Sequence, residues 1–218
     1  MKKIILIIIM STGLFSCISS IKDAVKETKY SAYELIGMEK RDLFKRQVKE
    51  ANSDQKETSE SFANALEKLK SIYGFDGGEL ERKYHSLENS YQSAERKTGE
   101  VHRSIAQVET VAKDLFTEWA AEIKQMQSEN LKASSRARLS ETQKKYNDFY
   151  TNLKSSERKI DPVLAKLKDQ VIYLKHNLNA QAIAGLKKES VKIQSDIESL
   201  MTEMNNSMKS ADEFIKTI

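Results

Sequence analysis

Three histidines and one cysteine are the side chains best suited to hold a metal or move a proton, and their neighbours narrow what they do. A carboxylate-bridged di-iron bundle sets a Glu three residues before each ligating His, because positions i and i+3 share one helix face. The residues standing there are Arg82, Gly99 and Tyr173, before His85, His102 and His176. No His-Glu-x-x-His pair occurs, and Cys17 is the only cysteine, so no zinc-type cluster arises from spacing. Serines are scattered over polar stretches with no base at a useful interval, which leaves nucleophilic catalysis without its parts. The expectation is a protein that is not an enzyme and uses no cofactor and no metal.

The same residues have structural readings. His85 and His102 fall off the apolar stripe and are expected to face solvent. His176 sits between Lys175 and Asn177 where the hydrophobic register breaks. There it serves either as a capped, hydrogen-bonded structural histidine or, with Asn177 and Asn179, as a partner or ligand contact. Asp76 lies in Gly74-Phe75-Asp76-Gly77-Gly78, where glycines permit positive φ and the Asp side chain closes a turn. No strand precedes this loop and no Lys-Ser/Thr follows it, so it is read as a turn and not a phosphate loop, with Asp76 and the Gly74 to Gly78 tip a candidate partner or ligand contact. Trp119 is expected to be a core knob, the other reading being a partner-binding surface. Glu122 is a lone carboxylate on the stripe.

These side chains are carried by long amphipathic helices. Alternating steps of four and three pick out Leu80, Tyr84, Leu87, Tyr91, Ala94, Thr98, Val101, Ile105, Val108, Ala112, Leu115, Trp119, Glu122 and Met126, a narrow stripe that other helices must cover. Phe44, Val48, Ala51, Gln55, Thr58, Phe62, Ala65, Leu69 and Ile72 repeat the spacing, with Gln55 and Thr58 interrupting it. This predicts a first helix over 39–73 that folds back on the second at the glycine turn. A second reversal is expected near 128–130. Beyond it Leu139, Tyr146, Leu153, Ile160, Leu167 and Leu174 recur every seven residues, with Tyr150, Leu164, Val171 and Leu178 as a companion row. The phase runs through Asp161-Pro162, which favours a kinked helix over a new one capped by Asp161. At 176–180 the register shifts, by a third reversal or by a stutter, and Ala182, Leu186, Ile193, Ile197, Leu200, Met204, Ala211 and Phe214 follow. The fold class is therefore all-α, an elongated antiparallel coiled-coil bundle of three to four long helices over 38–218.

Charge offers no sign of a nucleic-acid partner. Of 36 Lys and Arg, Lys2 and Lys3 lie in a leader, leaving 34 against 32 Asp and Glu, and the two signs are interspersed.

Residues 1–16 have a basic start, an apolar run from Ile4 to Met10 and a polar break, the layout of a secretory signal too short to span a membrane. Leu14-Phe15-Ser16-Cys17 resembles the bacterial lipobox, and the resemblance implies a diacylglyceride on Cys17. Two or three acyl chains, at about 0.8 kcal/mol per buried methylene, hold a chain on a membrane almost permanently. Residues 17–37 then form a tether. Ile18 is not the Asp that resembles an inner-membrane retention signal. The implied location is the cell envelope, at the outer membrane facing the periplasm if the source is Gram-negative.

Phe75-Asp76-Gly77-Gly78, Leu115-Phe116 with Glu118-Trp119, Asp161-Pro162-Val163-Leu164 and His176-Asn177-Leu178-Asn179-Ala180 together resemble an uncharacterised family of bacterial exported, often lipid-anchored helical proteins. That resemblance implies a shared design around Asp76 and His176 and brings no activity with it. The expected function is a non-catalytic, membrane-anchored spacer, scaffold or protein-binding rod that engages a protein partner or itself. A small-ligand or metal-binding bundle with a site near His176 is the alternative.

Overall fold

The computed structural model describes residues 40–74 and 79–218, which form helices α1 (Lys40–Tyr73), α2 (Leu80–Gln125), α3 (Glu129–His176) and α4 (Ala180–Ile215). Residues 1–37, with Cys17, and Asp76 lie outside the described residues. Each helix packs on two others, α1 on α2 and α4, and α3 on α2 and α4, so the four close into a square up-down ring. At about 1.5 Å per residue the helices run roughly 50 to 70 Å.

The reversals have local causes. Ser128 caps α3, its hydroxyl accepting from the Leu131 amide at 3.4 Å. Asn177 ends α3, its amide N–H donating to Leu174 O at 3.1 Å and its side chain to Tyr173 O at 2.9 Å. The Asn179 carbonyl then accepts from Ile183 N and opens α4, so the break at 176–180 is a full reversal. α3 continues through Pro162, which faces solvent. The missing amide proton therefore costs one bond on the outer surface without ending the helix.

All nine positions named for α1 are buried, as are all six of the seven-residue row of α3 and every described side chain named for α4. Two rows depart from expectation. On α3 the companion row is Phe149, Ser156 and Val163, one residue before Tyr150 and Leu164, and joins the named row only at Val171. Leu178 is exposed. On α2 the core follows the named stripe from Tyr84 to Ala112 and then takes Phe116 and Ile123, leaving Leu80, Leu115, Trp119 and Met126 half-buried and Glu122 exposed. Two steps of four in succession, 108 to 112 to 116, form a stutter, which relieves the drift of about 20° per heptad between a straight helix and a seven-residue repeat.

Near the start of α1 the core is aromatic. Phe44, Phe116, Tyr146, Phe149 and Phe214 come from all four helices with ring centroids 5.2 to 6.3 Å apart, Phe149 and Phe214 stacked and the others mostly edge-on.

Candidate functional site

Polar pairs between helices fix which residues share a level. Glu57 meets Lys97 at 2.6 Å across α1 and α2, and Glu109 meets Tyr150 at 2.7 Å across α2 and α3. Lys159 meets Glu203 at 2.7 Å across α3 and α4, and Asn52 meets Asp212 at 2.9 Å across α1 and α4. By that register Gln55 and Thr58 of α1, Thr98 of α2, Ser156 of α3 and Ser207 of α4 fall within about one turn of each other, and all five are buried.

The bundle therefore has a polar plane where a heptad core would be greasy. Ser156 donates to Gln55 Oε1 at 3.0 Å across the diagonal of the square and is shared with Leu153 O. Gln55 Nε2 and the hydroxyls of Thr58, Thr98 and Ser207 are out of solvent and have no hydrogen-bond partner among the described residues. Each such group costs roughly 1–3 kcal/mol unless something, water included, satisfies it. Gln55 and Thr58, which looked like interruptions of a stripe, are the α1 corner of this plane. The available signal was that Thr98 and Ser207 continue the apolar registers of their own helices.

His102 lies on the outer flank of the same plane and is not free in solvent, contrary to expectation. Its Nδ1 is 2.9 Å from Glu157 Oε1 and its Nε2 3.1 Å from Asp161 Oδ1, both on α3. Asp161 thus pairs with His102 instead of capping a helix. Glu157 is only 12% exposed and also holds Lys154. Burial by itself pulls the imidazole pKa down, but the hydrogen bonds to Glu157 and Asp161 and their charges outweigh it, and the net position is above the ordinary 6.5. Ser156 and Glu157 are consecutive, so α3 offers one residue to the core and the next to the clasp.

The other named residues stand apart from this plane. His176, Asn177 and Asn179 form the α3–α4 turn, where Asn177 and Asn179 use backbone or side-chain groups to cap helices and His176 is exposed. Around that turn Ile172, Tyr173 and Leu178 are exposed apolar side chains, with Tyr173 Oη reaching over Gly185. Trp119 is half-buried rather than a full core knob. Its Nε1 donates to Ser135 Oγ at 2.9 Å and Arg41 stands 5.9 Å above its ring. His85 is exposed beside Glu81 and Glu88 of its own helix. Among the described residues no three His, Cys, Asp or Glu side chains gather closely enough to hold a metal, and no helix is long and apolar enough to cross a membrane.

A family model described as a protein of unknown function, DUF2959, matches residues 29–218 of the chain. No curated protein matches it.

Proposed function

Since the chain belongs to the DUF2959 family of proteins of unknown function, which brings no activity with it, we propose that it works by its surface and length, as a non-catalytic, lipid-anchored envelope protein. In this reading it is a spacer or scaffold that binds a protein partner or a second copy. The observation that carries it is the closed ring of four long helices, whose apolar side chains are mostly spent on one another while the outer faces remain charged. The lipobox-like Leu14 to Cys17 supports the anchor.

The α3–α4 turn suits the partner contact. Ile172, Tyr173 and Leu178 are 48, 42 and 38% exposed within seven residues of chain, next to His176, Asn177 and Asn179. A partner covering them removes apolar surface worth about 25 cal/mol per Å². The ligand-binding alternative has less behind it, because the Asn residues are occupied as caps.

Pull-down from membranes, comparing the native chain with Cys17→Ser and with Tyr173→Glu, tests the reading. Loss of membrane retention in the first variant and of the captured partner in the second is expected. An unacylated, freely soluble native protein would refute the anchor, and metal or small-molecule mass in native spectra, lost in His176→Ala, would favour the alternative.

A further inference from the structure

The imidazole of His102 faces a carboxylate at each of its nitrogens. Carboxylates only accept, so both contacts are hydrogen bonds only when both nitrogens carry protons. A neutral ring turns one lone pair toward a carboxylate and loses that bond. Glu157 cannot turn away freely, since it is 12% exposed and also held by Lys154.

What lies beneath makes this contact matter. Most levels of the bundle adhere through buried apolar side chains, but here the core offers Gln55, Thr58, Thr98, Ser156 and Ser207, with several buried groups unpartnered. The two helices that meet at the clasp are also locally weak. α2 carries Gly99, which costs roughly 1 kcal/mol against Ala, although a Cβ there meets nothing closer than Arg103 at 3.5 Å. α3 carries Pro162, which lacks an amide proton.

We propose that His102, Glu157 and Asp161 form a proton-operated clasp across the α2–α3 seam, and that its release lets the bundle open locally over the polar plane. The charged groups that face the ring are Glu157 and Asp161 on α3, Glu157 also holding Lys154 and lying near Tyr150, while on its own helix Lys97 and Glu100 pair with each other and Lys97 turns to Glu57 of α1. From α1, Asp54 and Glu57 face α2 through Ser104 and Lys97 and so act on the other side of that helix. A histidine raised in the folded state stabilises fully below its ordinary 6.5 and loses that contribution as pH climbs through the folded value. Opening is therefore favoured on the alkaline side.

Hydrogen exchange of the full chain in detergent, corrected for intrinsic rates and compared at about pH 6 and about pH 8.5, reads the opening directly. Protection in 98–108 and 152–165 is expected to fall about three- to tenfold at the higher pH, while segments around Phe44 keep theirs. His102→Gln, and independently Glu157→Gln should the first variant fold poorly, should remove the pH dependence, and His85→Gln should retain it. Equal protection of the wild type at both pH values overturns the clasp, as does an undiminished fall in both clasp variants. So does a His102 ring titrating at or below 6.5 by NMR.

Discussion

Two levels of one bundle, about 20 Å apart along α1, are made of opposite materials. At the first, Phe44, Phe116, Tyr146, Phe149 and Phe214 fill the square from four sides. At the second, Gln55, Thr58, Thr98, Ser156 and Ser207 occupy the equivalent places, and an ionic contact on the flank supplies what the interior lacks. The aromatic level provides adhesion that tolerates any charge state. The polar level provides little adhesion, and it penalises wrong pairings, since sliding a helix by a turn strands Gln55 and Ser156 among apolar side chains.

Removing a ring should produce the largest effect. Phe44→Ala empties the centre of the aromatic level, and a loss of about 3–5 kcal/mol is expected in urea unfolding; a loss below about 1 kcal/mol would mean the level is not the anchor of the core. Ser156→Ala comes next, at about 1–3 kcal/mol, because it leaves Gln55 Oε1 buried and unpaired as well. The double change Thr58→Val with Thr98→Val should go the other way and raise stability by about 1 kcal/mol, since it removes two unpartnered hydroxyls at constant shape. Destabilisation by that pair would show that the hydroxyls have partners worth keeping.

The smallest effect belongs to Asp54, on the α1–α2 face. Burial holds its carboxyl above the ordinary 3.8 against the Ser104 hydrogen bond, and the charges of Glu50, Glu100 and Glu57 push the same way. A carboxyl raised in the folded state stabilises at low pH and loses that contribution as pH rises through the folded value. Asp54→Asn should therefore melt slightly higher than the wild type near neutrality, by less than about 1 kcal/mol, with the advantage vanishing in acid. Identical melting curves at both pH values would remove the polar side of the comparison at that position.

Periodicity exposed the helices and most of their inward faces because the seven-residue repeat is a property of one segment at a time. The row beginning at Phe44 and the row from Leu139 to Leu174 needed no partner to be read, whereas the asparagines at 177 and 179 marked a break that the sequence left open between a reversal and a stutter, and only the packing of α4 back on α3 decides it. Where a position depends on a neighbour, the sequence was silent or misleading. Phe149 and Tyr150 are adjacent aromatics that fit the stripe equally well, and only the place of α4's Phe214 and α2's Glu109 decides which goes inward. Phe116 and Ile123 enter the core after a change of phase that Leu115 and Trp119 disguise. His102 lies on a flank and takes its meaning from carboxylates 55 and 59 residues away, a distance over which no local pattern reports.

An even number of antiparallel helices brings Lys40 and the end of α4 to one end of the ring, as the Asn52 to Asp212 contact requires. Tension between Lys40 and the end of α4 would then peel α1 from α4 one row at a time, which takes little force. Tension between Lys40 and something gripping the α3–α4 turn would instead load every interhelical row at once in shear, with the stacked and edge-on rings at Phe44 the first to resist. As a mechanical element the bundle is strong in one direction of pull and weak in the other.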